Sequence, residues 1–359
     1  MRLTDADRGR RGRQTRPWTK DGRDGQRKAV TTLGAAAAGL APPISGCPAR
    51  AEPMASSDVR RTHPRSIGQS ARAVAPGYTR GVPAQRIAEN LAFINWTVLA
   101  GLGVGAFAAV VLARLCTDAT RGYLAFTACC AAIFGLLAYL SDSALPTGAG
   151  GTAAVPIDPA FDGVRRACLL AFTIAAFAYT VVLAQRGRAP VLAIGGVAVG
   201  VGTFVFGALG WGGGFPSIVA QLAQSLLLAA ATGGVFAAMV LGHWYLVTPK
   251  LPEGPLVLFA RLLLGIVALQ LVFFAGSIAL GGGAGGAPFS PLTGPWALFV
   301  WLRLIVGLVF PLVVSWAAIQ TARSRSMESA TGLLYINVGT IAAATILSAG
   351  LYFGAGLLV

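Results

Sequence analysis

From about residue 89 onward, long apolar stretches alternate with short breaks that contain polar residues, glycine and proline. Eight of these stretches are close to, or longer than, the roughly 20 residues that a helix needs to cross the hydrocarbon core of a bilayer. Inside lipid, every backbone N–H and C=O must be paired within its own segment, so each stretch is predicted to be a transmembrane helix. The predicted spans are residues 90–113, 122–140, 164–184, 190–211, 216–248, 255–280, 296–319 and 331–358.

This pattern predicts an all-α integral membrane protein. An eight-transmembrane-helix bundle is expected over residues 86–359, preceded by a disordered tail over residues 1–85. The breaks between spans are short, as in residues 211–216, so successive helices should run antiparallel. The one partner that the pattern itself requires is the lipid bilayer.

The composition supports a lipid environment. Of the 359 residues, 55% are hydrophobic and 11% are charged, against roughly 25% charged residues in an average soluble domain. These values exclude an ordinary soluble enzyme. The net charge of +15 is concentrated at the start of the chain, where 17 of the 28 basic residues precede residue 87. The remaining cations are scattered, whereas nucleic acid needs a clustered basic face, so no nucleic-acid partner is expected.

Two interpretations of the basic tail remain open. An arginine-rich start is followed by a weakly apolar stretch and then by residues 44–47 (ISGC), which have the small-residue form of a lipoprotein cleavage site. This order is typical of an export signal over residues 1–47, in which Cys47 would carry the lipid. Alternatively, translation starts at Met54. In both cases, residues 1–85 have too little apolar content to fold.

The basic residues of the short breaks predict the orientation of the helices. Positively charged breaks are retained in the cytoplasm, and here they follow the first, third, fifth and seventh spans. Both ends of the membrane domain are therefore predicted to be extracytoplasmic, in a bacterial cytoplasmic (inner) membrane. The basic residues of these breaks are Arg114, Arg121, Arg186, Arg188, Lys250, Arg323 and Arg325.

Arg303 is the main candidate for a ligand-binding residue. It lies in the seventh span, roughly 10 Å below the predicted outer interface, where a charged side chain costs about 2.5 to 3.5 kcal/mol on insertion scales. A partner is expected, and Asp142 is the acidic residue nearest in depth. The sequence predicts an outward-facing polar pocket for a small solute or ion; the alternatives are a structural ion pair and an Arg303 that reaches toward the surface. The other predicted pocket residues are Gln221, Gln224 and Asn95.

A second candidate site lies at the predicted inner surface. His243 is the single histidine of the membrane domain, and Arg261 lies at a similar depth in the sixth span. A quinone headgroup or a small anion could bind between them; the alternative is that His243 belongs to the polar belt at the membrane surface. One histidine is too few for a bis-histidine haem site, so no haem is expected.

Catalytic and metal-binding signatures are missing from the sequence. The five cysteines form no CxxC pair, so no metal site is predicted. HExxH, GxSxG and P-loop motifs are also missing. An enzyme is therefore not favoured, and no covalently bound cofactor is expected.

Glycines recur within three of the spans. Small residues at helical spacing allow helix backbones to approach closely, so these glycines predict tight packing or, alternatively, a helix that moves. Pro311, within the seventh span, predicts a kink or hinge. The recurring glycines are Gly101, Gly103 and Gly105, then Gly195, Gly196, Gly200 and Gly202, and finally Gly350, Gly354 and Gly356.

Two stretches in roughly the last 120 residues are similar to a known group. These are residues 242–252 (GHWYLVTPKLP) and the seventh span into the eighth, with Arg303, Gly307, Pro311 and residues 329–335 (SATGLLY). Together they resemble a loosely defined group of uncharacterised bacterial polytopic membrane proteins, which implies no activity. The helix count and the possible quinone site also resemble the membrane subunits of the polysulfide-reductase type, a likeness at the level of the fold.

Three functions remain open on this basis. The first is a non-catalytic membrane subunit or quinone-interacting anchor of a respiratory or electron-transfer assembly, with other membrane or redox subunits as partners. The second is a transporter of a small solute or ion. The third is a membrane scaffold without a ligand.

Overall fold

The structure is a computed structural model in which the described residues are 82–146, 152–248, 251–283 and 286–359. The predicted tail lies outside these ranges as far as residue 81, and Cys47 and Met54 lie outside with it. No β-strand occurs within the described ranges. The helices are α1 (Pro83–Glu89), α2 (Leu91–Cys116), α3 (Arg121–Asp142), α4 (Asp162–Ala184), α5 (Pro190–Trp211), α6 (Phe215–Val247), α7 (Gly254–Ala279), α8 (Ala297–Leu304), α9 (Phe310–Arg323) and α10 (Met327–Ala355).

Eight membrane spans are found in the part of the chain that the structure describes. Helices α2 to α7 and α10 each form one span, and α8 and α9 together form another, Ala297–Arg323. A turn of π-helix, Ile305–Val309, joins α8 to α9. The predicted all-α membrane fold is therefore confirmed. The short helix α1 begins at Pro83, slightly before the predicted start of the membrane domain.

The helix ends form two groups at opposite ends of the bundle. We define the basic end as the one at which α2, α4, α6 and α9 finish and α3, α5, α7 and α10 begin. All six of the predicted cytoplasmic arginines lie at this end, namely Arg114, Arg121, Arg186, Arg188, Arg323 and Arg325. Lys250 lies outside the described residues. Which end faces the cytoplasm remains a prediction.

Helices α2 and α6 touch through their backbones. A Cβ atom added to Gly105 would overlap the Ala229 carbonyl, and one added to Gly233 would overlap the backbone of Gly105 and Ala106. Only glycine fits these two positions, and this confirms the predicted role of Gly105 in close packing.

The other predicted glycines differ in their surroundings. A Cβ on Gly103 would lie 3.0 Å from the backbone nitrogen of Gly135 on α3. By contrast, nothing lies within 4 Å of the corresponding position on Gly195. Gly195 therefore does not serve helix packing.

Candidate functional site

Arg303 lies in the second half of the bundle, near the end of α8, and is 2% exposed. Its Nη2 donates a hydrogen bond to the Gln270 Oε1 at 2.8 Å. Its Nη1 donates to the Gly307 carbonyl at 3.2 Å, and its Nε is buried with no hydrogen-bond partner. No carboxylate within the described ranges lies within ion-pair distance of it. The guanidinium therefore has only neutral partners and one free donor.

The carbonyl of Gly307 is available to Arg303 because of Pro311. In a regular α-helix, this carbonyl would accept a hydrogen bond from the amide of residue 311, and proline has no amide hydrogen. The chain forms the π-turn at this point. A Cβ at residue 307 would lie 2.9 Å from the Ala344 Cβ, so glycine lets the π-turn and α10 pack closely here. Where the sequence predicted a kink or hinge at Pro311, the structure has a π-turn, and the Gly307 carbonyl of this turn accepts a hydrogen bond from Arg303.

Gln270 connects Arg303 to α6. Its Nε2 donates to the Leu227 carbonyl at 2.9 Å, which leaves the amide oxygen to accept from the guanidinium. Gln270 is not among the pocket residues predicted from the sequence. It is the single asparagine or glutamine of the sixth predicted span, so the criterion that selected Gln224 would also have found it.

Gln224 forms a second polar contact next to this one. Its Nε2 donates to the Ser348 Oγ and to the backbone oxygen of Val359, the latter at 3.1 Å. Its Oε1 is buried and has no hydrogen-bond partner. Gln224 lies about one turn from Leu227 on α6, and Ser348 lies one turn from Ala344 on α10. The two contacts therefore face the same region between α6, α7, α8 and α10, and we call Arg303, Gln270, Gln224 and Ser348 the polar centre.

Residues 356–359 contact the polar centre through Val359, which accepts hydrogen bonds from Gln224 and Ser348. Gly356 has φ of +72° and turns the backbone toward the bundle. The Leu358 amide then donates to the Gly282 carbonyl at 2.9 Å, and the Ser277 hydroxyl donates to the Leu358 carbonyl. We call residues 356–359 the closing segment. Leu358 also lines a mainly apolar groove of about 550 Å³ between α6 and α7.

Asp142 does not pair with Arg303, contrary to the predicted ion pair. Its Oδ2 lies 3.1 Å from the Nε of Arg165, because α3 and α4 are consecutive in the chain and pack against each other. The Arg165 Nη1 also contacts the Asp162 Oδ1 at 2.6 Å. The structure therefore separates Asp142 from the polar centre.

Arg165 is a buried charge that is not among the site residues predicted from the sequence. Its Cζ lies 4.7 Å from the ring centroid of Trp211 and 5.7 Å from that of Trp96, within the range of cation–π attraction. With two carboxylates and two indole rings around it, the charge of Arg165 is compensated. The spacing of Asp162 and Arg165, three residues apart on a helix, was the available signal.

The remaining predicted residues have different surroundings. Gln221 is buried on α6, one turn before Gln224, whereas Asn95 is exposed on α2. His243 and Arg261 are both exposed, and neither side chain takes part in an ion pair within the described ranges. Arg303, Gln224 and Gln221 are thus all buried, while a ligand pocket formed by them and a site between His243 and Arg261 both remain predictions.

Comparison with known proteins supplies no function. No protein-family model matches the chain, and no curated protein matches it. Among the described residues, no group of three or more histidine, cysteine, aspartate or glutamate side chains could hold a metal ion. The polar centre, with its buried arginine, is therefore the feature that bears most directly on function.

Proposed function

We propose that this integral membrane protein is a carrier for a small anionic solute, and that Arg303 binds the anion. The observation that carries the proposal is a guanidinium buried among membrane-spanning helices with only neutral hydrogen-bond partners. A charge inside a membrane is costly, and such charges usually pair with an opposite charge or mark a path for a substrate. A bound anion would supply the missing charge.

The contrast with Arg165 supports a ligand rather than a structural role for Arg303. Both side chains are 2% exposed, but Arg165 has two carboxylate partners. A buried arginine that only ties helices together is expected to be compensated in this way. Arg303 instead keeps its Nε–H free, and a carboxylate or phosphate oxygen would accept this hydrogen bond well.

The surroundings of Arg303 support entry of the anion from the end of the bundle that lies opposite the basic end. The closing segment separates the polar centre from that end, and three hydrogen bonds from Ser277, Gln224 and Ser348 hold it. Movement of these four residues would connect the groove between α6 and α7 with Gln224. The π-turn next to Arg303 interrupts the regular helix and offers a point at which α8 and α9 could bend.

Binding can be tested with the purified protein in mild detergent. Acetate, succinate, citrate and inorganic phosphate are added in turn, and the melting temperature is measured. At least one of these anions should stabilise the wild type, because a ligand that binds only the folded state raises its stability. The Arg303→Gln variant should lose the effect, and Arg303→Lys, which keeps the charge, should retain part of it.

Arg323→Gln is the matched control, since it removes an exposed arginine from the same membrane span as Arg303. It should respond to the anion as the wild type does. The proposal is wrong if none of the four anions stabilises the wild type. It is equally wrong if Arg303→Gln keeps the full response.

The predicted role as a quinone-interacting anchor of a respiratory assembly depends on other residues. His243 and Arg261 are exposed near the basic end of the spans, where a quinone or a partner subunit could reach them from the bilayer. Redox subunits or quinone that co-purify with the wild type, but not with a His243→Ala and Arg261→Gln double variant, would support this role. A protein that shows neither this nor an anion response would be a scaffold.

A further inference from the structure

A large cavity opens at the basic end of the bundle, far in sequence from the polar centre. Its volume is about 830 Å³, and it lies between the ends of α2, α3, α4 and α5. This volume is in the range of pockets that hold small ligands or cofactors. None of the residues discussed for the carrier function lines it.

Three arginines that have no ion-pair partner within the described ranges line this cavity. They are Arg114, at the end of α2, Arg121, at the start of α3, and Arg188, in the loop before α5. Within the described ranges none of them takes part in an ion pair. Asp118 is the one acidic residue among those that line the cavity, so the wall carries an excess of two positive charges.

Two helix N-termini add to the positive potential. Helices α3 and α5 both begin at the cavity, and neither has a side-chain hydrogen bond at its N-cap. The first amide groups of α3 are therefore free to bind an anion, as are those of α5 that follow Pro190, which begins the helix and has no amide hydrogen. The hydroxyl of Thr120, at the N-cap of α3, is buried and has no hydrogen-bond partner.

The outer edge of the cavity is apolar. Leu115 and Ile194 line it and are 65% and 57% exposed, on helices that span the membrane. Tyr179 lines the cavity from α4 and is almost fully buried. The cavity thus combines a cationic wall with an edge that is open to the acyl chains of the bilayer.

We propose that this cavity, which we call the headgroup pocket, binds the phosphate-bearing headgroup of an anionic phospholipid. The phosphate contacts Arg114, Arg121 and Arg188, and the acyl chains lie along Leu115 and Ile194. Basic pockets between membrane helices are suited to such headgroups. The apolar edge favours a lipid over a free phosphate ion, which would gain nothing from Leu115 and Ile194. This inference does not depend on the proposed carrier function.

Native mass spectrometry of the full chain in detergent tests the proposal. Phosphatidylglycerol, phosphatidylcholine and inorganic phosphate are titrated separately. The wild type should bind phosphatidylglycerol more tightly than phosphatidylcholine, and inorganic phosphate only weakly. In the Arg114→Gln and Arg188→Gln double variant, the affinity for phosphatidylglycerol should fall by about tenfold, because charge-assisted hydrogen bonds to the phosphate are lost.

The matched control is an Arg323→Gln and Arg325→Gln double variant, which removes the same charge from exposed positions outside the pocket. Its affinity for phosphatidylglycerol should stay within about twofold of the wild type, the spread expected where no phosphate contact is lost. Equal loss in both double variants would overturn the proposal, because the charge of the whole surface would then explain the binding. Equal affinity for the two lipids, or Arg114-dependent binding of inorganic phosphate that is as tight as that of phosphatidylglycerol, would overturn it as well.

A second variant covers the case in which the glutamine variant fails to fold. Asp118→Asn removes the acidic residue of the pocket and leaves the arginines in place. Phosphatidylglycerol should bind this variant more tightly than the wild type, since a like charge next to the phosphate has been removed. Unchanged or weaker binding would contradict the headgroup pocket.

Discussion

Two buried arginines differ in what surrounds their charge. Arg165 contacts Asp142 and Asp162 and lies against two tryptophan rings, so its charge stabilises the contact between α3 and α4. Arg303 contacts an amide and a carbonyl. The first arrangement is complete without a ligand, whereas the second has an uncompensated charge. This difference distinguishes the structural role of Arg165 from the proposed ligand-binding role of Arg303.

Removal of the Arg165 charge should destabilise the protein. In Arg165→Gln, Asp142 would be left buried without a cation, and breaking a buried pair in this way costs about 3 to 5 kcal/mol. A marked fall in the melting temperature in detergent is therefore expected. The double variant Arg165→Gln and Asp142→Asn should recover part of the loss. Equal melting temperatures of wild type and Arg165→Gln would show that the pair is not structural.

The sequence predicts those residues of the site that are conspicuous by their own residue type, and it does not predict their partners. Arg303 and Gln224 stand out because polar residues are costly in apolar spans. The partner of Asp142 was predicted wrongly, because depth in the membrane can be counted along a helix but the identity of the neighbouring helix cannot. Gln270 stands out by the same criterion as Gln224, but its contact with Arg303 depends on how α7 packs and does not follow from the sequence.

Two helix features depend on small or unusual residues. The π-turn between α8 and α9 follows from Pro311, which leaves the Gly307 carbonyl without its usual partner. The close contact of α2 with α6 follows from Gly105 and Gly233, which lack side chains. A glycine pattern predicts that some helices touch, but it does not identify the glycines that face a neighbouring helix. Gly195, for example, belongs to the pattern and has no neighbour within 4 Å of its Cβ position.

Gly233 and Gly234 provide a direct test of the α2–α6 contact. A Cβ on Gly233 would overlap the backbone of α2, whereas nothing lies within 4 Å of the same position on Gly234. Gly233→Ala should therefore lower the melting temperature strongly or prevent folding. Gly234→Ala should be neutral, or stabilising by about 0.5 to 1 kcal/mol, because alanine favours a helix over glycine. If both variants melt at the same temperature, the two helices do not meet at Gly233.

At the scale of the whole molecule, the eight spans followed from the lengths of the apolar stretches alone. Length and hydropathy suffice because lipid forces every spanning segment to pair its own backbone groups. Helix pairing did not follow, since it depends on side-chain shapes that a hydropathy pattern does not contain. The orientation of the bundle is a separate prediction that depends on the arginines of the basic end.

Cysteine labelling can test this orientation. Cys116 is free and exposed at the basic end, and Ser143 is exposed at the opposite end. With Cys47 replaced by serine, a membrane-impermeant maleimide should reach Cys116 in inside-out vesicles but not in spheroplasts. An added Ser143→Cys should be labelled in spheroplasts. The reverse pattern would place the basic end outside the cytoplasm.

The most direct test of the central claim is uptake of an anion into proteoliposomes. The anion that raises the melting temperature of the purified protein is added outside, and its radiolabelled form is measured inside the vesicles. Wild type and Arg323→Gln should take it up at similar rates, and Arg303→Gln should show only the rate of protein-free vesicles. Uptake by Arg303→Gln at the wild-type rate would contradict the claim that the uncompensated charge in the polar centre carries the anion.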